Sequence, residues 1–505
     1  EALRPQVECS VIHPTYICGT LGMARLSTAG LLGLFSLGGA LRLDHPENNQ
    51  KAISVEMARD QDAEAACMPP SAYRQRLTNM MDLQYFTEVT LGGQRITGIL
   101  DTGSFELVVF SRKCTTCGRA GVYDADRSPT FSAGEQYKLH AYGSGSCRSR
   151  EGTDEVSLGC YKTPKQAIWL AVECKMQLLN EAGFQSIVGV GPPGQPEFTA
   201  RETLRQLEEM ASSARTTTGY TPKDIQSAMV EATRDLEDAL KKKSLLEGFG
   251  MRTFSTCLGR KSGMPGWMIW NDDTREGKPG VAKVPVLGNI TWGIALEGLS
   301  VELIPSADTD VHKITEIAMG CEKGCGAVVD TGTSLISVPS TAYKAISSML
   351  ENHVTANDCS DLRNFPTLII KVAGHKLRLP PSSYIGSISG EPSAQVAGYM
   401  HLGKQPNPGA ACQLLIMDLG MEMTQFGPMV ILGMPLFREY YTTFDLGPGR
   451  GHRSIFLTPS DEACERELGG KVKYNMNRAA FTPRHVDLSK VRVPEWLGRR
   501  SGITV

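Results

Sequence analysis

Along most of the chain, apolar positions come in short runs that alternate with polar residues or stop at glycine, rather than recurring at helical spacing. From Tyr85 to about Val190 these runs read YFTEVTLGG, RITGILD, ELVVF, YKLHAYGSG and SIVGVG. Each is rich in β-branched or aromatic residues and bounded by Gly, Pro or Ser, which predicts strands. The same texture returns from Val284 to Leu457 in ITWGIALEGLSV, GAVVDTG, TLIIKVAG, MVILGMP and YYTTFDL. Between the two lies a stretch of another kind. TARETLRQLEEM sets Thr199 and Glu202 at capping-box spacing and puts Leu204 and Leu207 on one face. TPKDIQSAMVEATRDLEDALKKK offers Thr221 as N-cap and Pro222 at the first helical position. Ile225, Met229, Ala232, Leu236 and Leu240 follow at helical spacing. The loop SSARTTTG, 212–219, separates the two helices. The pattern predicts a mainly β protein. Its N-terminal half spans 80–282 and carries a helical insert at about 195–248; a C-terminal half, 283–457, and a tail, 458–505, follow.

Composition changes this picture little. The chain has 505 residues, 41% apolar and 21% charged, and a net charge of −2, which gives no global attraction for nucleic acid or an anionic membrane. Its 52 glycines and 28 prolines favour turn-rich β architecture. The N-terminal region adds more. From Met23 the sequence MARLSTAGLLGLFSLGGALRLDH has a short basic start, an apolar run too short to span a membrane, and small residues near Ala40. This reads as a signal peptide over 23–40, with 1–22 a segment upstream of the natural start. Fourteen cysteines fit an oxidising compartment. The candidate pairs by spacing are Cys114 with Cys117, Cys147 with Cys160, Cys321 with Cys325, and Cys359 with Cys412. CTTC at 114–117 lacks a second CxxC or a His pair at ligand spacing, so it reads as a disulfide and no metal is expected. Asn289 heads one glycosylation sequon. From Lys471 onward the tail holds eight Lys or Arg against two acids, and the expectation is a solvated end.

The chemistry is concentrated in a repeat. GILDTGSFELVVFS places Asp101 at the end of an apolar run, and AVVDTGTSLISVPS does the same for Asp330. A carboxylate beside such a run is costly unless something compensates, and two copies suggest that the carboxylates meet. Each is followed by an apolar-apolar-Gly strand, Ile187-Val188-Gly189 and Ile431-Leu432-Gly433, which marks an internal duplication. Two carboxyls in hydrogen-bond contact retain one proton between them. The charged member can then activate a water while the neutral one donates to a carbonyl oxygen. Neither a cofactor nor a metal is needed for that chemistry. GVGPPG, 189–194, matches G-x-G-x-x-G, but Pro192-Pro193-Gly194 do not read as a helix start, so no dinucleotide site is expected.

With these motifs the chain resembles the pepsin-like aspartic proteases over roughly residues 80–457. MDLQYFTEVTLGG looks like that family's first mature strand, HAYGSGS like its flap hairpin, GCGAVVDTGTSL like its second catalytic loop, and MVILGMPLFREYYTTFD like its last segment. The resemblance implies a bilobal β fold with a cleft between lobes, and an aspartic endopeptidase with Asp101 and Asp330 as the dyad. Gly103 and Gly332 would permit tight loops, Thr102 and Thr331 would bond across to the opposite loop, and Ser104 and Thr333 would support the outer carboxylate oxygens. Tyr142, Gly143, Ser144 and Gly145 would form the flap. Ile99 and Ile187 are either pocket lining or ordinary core. A prosegment would fall in 41–79, but its basic residues are sparse (Lys51, Arg59, Arg74, Arg76), so blocking of the dyad by a lysine is not expected there. The chain departs from the family at Val108, where a tryptophan usually bonds the flap tyrosine, and at Phe105, where a small residue is usual. The expected partners are peptide or protein substrates, acting on a monomer in the secretory pathway, outside the cell or in an acidic compartment. The alternative is a catalytically silent pepsin-fold protein that binds peptides.

Overall fold

The structure, a computed structural model, describes residues 72–142, 144–212, 222–303, 315–351, 362, 365–401, 413–465 and 483–493. The signal-like segment, residues 41–71 of the 41–79 stretch, Thr221, Gly143, Cys359 and Cys412 lie outside them. Among the described residues no helix is long and apolar enough to cross a membrane.

The fold is mainly β. In the first half β1 (Tyr73–Met80), β2 (Gln84–Leu91), β3 (Gln94–Asp101), β4 (Leu107–Phe110), β5 (Ser132–Tyr142), β6 (Gly145–Leu158), β7 (Tyr161–Lys175) and β8 (Ser186–Gly189) join one large sheet, in the order β1-β2-β3-β8-β4-β7-β6-β5. The apolar-apolar-Gly strand β8 runs parallel to β3, with Ile99 opposite Ile187 and Asp101 opposite Gly189, and antiparallel to β4. The second half repeats the device. Strand Gly427–Leu432 runs parallel to Cys325–Val329, and Ser337 of strand Ile336–Val338 pairs with Ile431. Gly189 and Gly433 are required by this arrangement. A Cβ on Gly189 would lie 2.3 Å from the Phe105 carbonyl carbon, and one on Gly433 would lie 2.2 Å from the Leu335 oxygen. Each glycine lets the strand pass beneath the loop that carries an aspartate.

Strands Thr253–Leu258, Gly266–Trp270, Tyr440–Asp445 and Ser454–Pro459 extend the large sheet beyond β1. Their side chains supply the centre of the core: Phe254 stacks on Phe444 at 4.8 Å, and Trp292 crosses both. The buried Trp292 indole donates to the Val190 oxygen at 3.1 Å, so the core also holds the chain just beyond β8. Truncating a ring of this size to Ala typically costs about 3–5 kcal/mol.

The helical insert consists of Gln195–Ser212 and Pro222–Lys241. The first helix begins four residues before the capping box predicted at Thr199. Thr199 lies inside it, and Glu202 pairs with Arg205 instead of reaching back to an N-cap. Phe198 N–H donates to the Gly194 oxygen, so the helix does start directly after GVGPPG, contrary to the sequence reading. The exclusion of a phosphate site rests on a different fact. The Gly189, Val190 and Gly191 N–H groups donate to the oxygens of Glu106, Asp101 and Ser104. They are not available to a ligand.

Two of the four disulfides expected from spacing are present, one is corrected, and one falls where the structure gives no description. Cys114 is joined to Cys117 and Cys321 to Cys325. Cys147 pairs with Cys174, not with Cys160, because β6 and β7 align those two residues directly. Cys160 is disulfide-bonded elsewhere, and Cys257–Cys464 is a further bridge that the spacing did not suggest. The expected bridge from Cys359 to Cys412 is not among the disulfides of the described residues. Both Cys359 and Cys412 lie outside those residues, so that pairing stays an expectation from spacing alone.

The tail also departs from expectation. Residues 484–493 are not a solvated end. Arg484–Asp487 forms a strand parallel to Ile385–Ser389, and Val486, Leu488, Val491 and Val493 are buried with Leu83, Leu335 and Met417.

Candidate active site

Both aspartates stand where a strand ends in a tight loop, and the two loops face each other. Asp101 and Asp330 are 2% and 0% exposed. The threonines tie the loops together reciprocally. Thr102 N–H donates to Thr331 Oγ1 at 3.0 Å, and Thr331 N–H donates to Thr102 Oγ1 at 2.9 Å. Each hydroxyl then donates to a carbonyl of the opposite strand, Thr102 to Val329 at 2.9 Å and Thr331 to Leu100 at 2.7 Å. These four bonds fix the separation of the two halves at the point where the carboxyls must meet.

The glycines make that meeting possible. A Cβ on Gly332 would lie 2.2 Å from Asp101 Oδ1, and one on Gly103 would lie 2.6 Å from Asp330 Cγ. Instead, each glycine N–H donates to its own loop's carboxylate, Gly103 to Asp101 Oδ1 at 2.9 Å and Gly332 to Asp330 Oδ1 at 2.7 Å. The outer oxygens differ. Thr333 Oγ1 donates to Asp330 Oδ2 at 2.5 Å. Ser104 Oγ, its counterpart, is buried and bonds nothing among the described residues. Asp101 Oδ2 instead faces the guanidinium of Arg492, with Nη2 at 3.3 Å. Burial, and then the Asp101 charge, push the Asp330 carboxyl up to about 7, against the lowering effect of Thr333 and the Gly332 N–H. The arrangement can therefore keep a proton on Asp330.

Tyr142 ends β5 and pairs with Gly145 across the hairpin turn. Gly145 adopts φ 141°, and a Cβ there would strike the Lys175 oxygen at 2.2 Å. Tyr142 and Ser144 are buried. Ile99 and Ile187 lie fully buried in one apolar cluster with Val108, Phe86 and Tyr142, so both are packed beneath the hairpin. The Cys147–Cys174 bridge joins its second strand to β7.

Sequence reasoning missed the group beside this hairpin. Glu106 accepts from Lys138 Nζ at 2.7 Å and from the Trp169 indole at 3.0 Å, and lies 2.9 Å from His140 Nε2. Burial alone would raise the Glu106 carboxyl, but Lys138 and His140 outweigh it and hold it well below the usual range. Val108 sits opposite Trp169 on β7, so this region has an indole, but one supplied by another strand. Only a register between β4 and β7 would have revealed it.

Comparison with known proteins gives a consistent answer. The family model for eukaryotic aspartyl protease matches residues 84–450. Pepsin A of Rhinolophus ferrumequinum is 26% identical over 418 residues, covering 81% of this chain and 89% of its own. Cathepsin E of Rattus norvegicus is 26% identical over 406 residues, covering 78% and 84%. Gastricsin of Cavia porcellus is 27% identical over 442 residues, covering 84% and 90%.

Proposed function

Because the chain belongs to the eukaryotic aspartyl protease family, we propose that it is an aspartic endopeptidase that uses Asp101 and Asp330 as its dyad. The observation that carries this reading is the pair of buried carboxyls from two β halves, locked by the Thr102–Thr331 bonds, with Asp330 pushed up to about 7. In this mechanism Asp330 enters protonated and Asp101 ionised. Asp101 takes a proton from a water held between the carboxyls, and Asp330 donates to the oxygen of the scissile carbonyl. The water oxygen bonds to the carbonyl carbon. The tetrahedral gem-diol collapses when its C–N bond breaks: the proton held by Asp101 passes to the nitrogen and one diol hydroxyl returns its proton to Asp330, which leaves a carboxylic acid and an amine and restores the dyad. Tyr142 and Ser144, on the hairpin, would cover the substrate and exclude bulk water. Substrates with apolar side chains beside the scissile bond are the expected preference. The disulfides support a site of action in an oxidising compartment of the secretory pathway.

A second reading, a silent peptide-binding protein, is favoured by one observation, the Arg492 guanidinium beside Asp101. The deciding experiment is cleavage of a peptide library at mildly acidic pH, with and without a statine-containing inhibitor. Inhibitable cleavage supports the peptidase. Inhibitor binding with no cleavage in any form of the chain would favour the silent reading.

A further inference from the structure

The mechanism leaves the segment 484–493 without a role, yet it is anchored more thoroughly than a passive tail needs to be. Three cations in it meet an acid on the body of the protein. Arg484 Nη1 lies 2.8 Å from Asp82, Lys490 pairs with Glu181, and Arg492 pairs with Asp101. Those acids are scattered over the sequence, so the match reflects where the segment lies. The main chain is held as well. Gln84 Nε2 donates to the Lys490 oxygen at 3.1 Å. Ser334, next to Thr333 of the second loop, holds Arg492 at both ends: its N–H donates to the Arg492 oxygen at 3.2 Å, and its hydroxyl accepts from the Arg492 N–H at 3.0 Å. Leu488, Ser489 and Val491 enclose a small cavity with Ser144 of the hairpin turn, Gln177, Leu178 and Ser393.

We propose that residues 484–493 are a built-in inhibitory strap that occupies the peptide-binding cleft and masks the Asp101 carboxylate with Arg492. The proposal rests on the peptidase reading and adds its regulation. The physical argument is one of occupancy and charge. A peptide reaching Asp101 must displace a guanidinium that is 3% exposed, lies over the Phe184 ring at 5.8 Å, and has in Asp101 its charged partner. Its Nη1 has no acceptor among the described residues, so the cation depends on that one carboxylate. The strap's main chain is bonded to Ser334, the residue after Thr333 of the second loop, so it runs against the same two loops that a substrate must approach. Substrate therefore binds only in the fraction of molecules whose strap is out, which lowers apparent affinity by that fraction.

The test keeps the whole chain. A recognition sequence for a site-specific protease is inserted between Gly469 and Gly470, and the purified protein is assayed before cutting, after cutting, and after removal of the released peptide. Removal should raise kcat/KM at least tenfold. The peptide 483–493 added back should inhibit competitively, and the same peptide carrying Arg492→Ala should inhibit at least tenfold less well. In the uncut chain Arg492→Ala should by itself raise kcat/KM severalfold, which guards against a cut protein that fails to keep its fold. Equal, measurable activity before and after peptide removal, unchanged inhibitor affinity on removal, or loss of activity in Arg492→Ala would overturn the strap. Affinity for a statine-containing inhibitor should rise by the same factor as kcat/KM. If no form turns over substrate but inhibitor affinity still rises on removal, the peptidase reading fails and the strap stands.

Discussion

The two aspartate loops begin alike and diverge at the third residue after the carboxylate. Through Asp-Thr-Gly they share a backbone path, a glycine donor and a cross-loop threonine bond. Beyond that, the second loop presents Thr333 to its own carboxylate and Ser334 to the strap, then buries Leu335 among the strap's valines. The first loop presents a Ser104 without a partner among the described residues, then Phe105, then Glu106, which takes Lys138 and His140 from β5. Equivalent positions thus face different clients: the first loop secures the hairpin, the second secures the strap. A duplicated scaffold supplies the meeting of the carboxyls, and the residues at the third to fifth positions decide what each loop holds beyond it.

The largest effect should come from what the loops share. Asp101→Asn or Asp330→Asn, each in the protein freed of its strap, should lower kcat/KM by about 10³-fold or more, because either change removes the single-proton dyad. Circular dichroism should show an unchanged fold. Turnover within tenfold of the parent in either variant would refute the pairing.

The fifth positions should separate the two clients. Glu106→Gln leaves Lys138 and His140 without their anion and should cost about 2–4 kcal/mol of stability, in line with breaking a largely buried ion pair. Leu335→Ala removes packing against the strap and should cost a similar amount, roughly 2–4 kcal/mol. Hydrogen exchange distinguishes them. The first variant should speed exchange in 138–146 and spare 484–493; the second should do the reverse. Exchange rising equally in both segments would merge the two loops' roles.

Stability against pH depends on Asp330. Its folded pKa, about 7, is raised above an ordinary 3.8, so the folded state holds the proton more tightly than the unfolded chain. The stabilising contribution is complete below about pH 4 and is lost as pH rises through about 7. Asp330→Asn cannot ionise and should lose less stability over that window, by about 1–3 kcal/mol relative to the parent. Parallel melting curves for the two proteins from pH 4 to 8 would place the proton elsewhere.

Legibility in the sequence followed the same division. Strand texture, the two Asp-Thr-Gly loops and the glycines of the crossing strands were readable because each is local and each copy supports the other. The Cys147 partner was not, since spacing favours Cys160 while the β6–β7 alignment selects Cys174. The helix start was misplaced because a capping-box pattern at Thr199 lies within a helix that begins at Gln195. The Glu106 cluster and the strap share a cause of concealment. Their partners come from distant parts of the chain, Trp169 for Glu106 and Asp82, Glu181 and Asp101 for the tail, and a run of basic residues carries no mark of where it docks.

The smallest expected effect is also the sharpest probe of the asymmetry. Thr333→Ala removes the hydroxyl that donates to Asp330 Oδ2, leaving that carboxylate, among the described residues, the Gly332 N–H as its donor. Losing a donor to a charged group costs about 1.5–3 kcal/mol, and the cost falls on the ionised form, so the Asp330 carboxyl should rise further. The basic limb of the kcat/KM profile, which belongs to the pair, should move to higher pH by about one unit, with the acidic limb little changed. Ser104→Ala removes a hydroxyl that bonds nothing to Asp101 in this structure. It should leave both limbs within a few tenths of a unit, about 0.5 kcal/mol at most. The strap could hide such a difference, because Arg492 occupies the oxygen that Ser104 would otherwise serve. Measuring Ser104→Ala with the strap present and removed resolves this. If the serine turns to Asp101 once Arg492 has left, its mutation should become costly only in the freed enzyme. If it stays neutral in both, the two loops differ in their own chemistry and not just in what covers them.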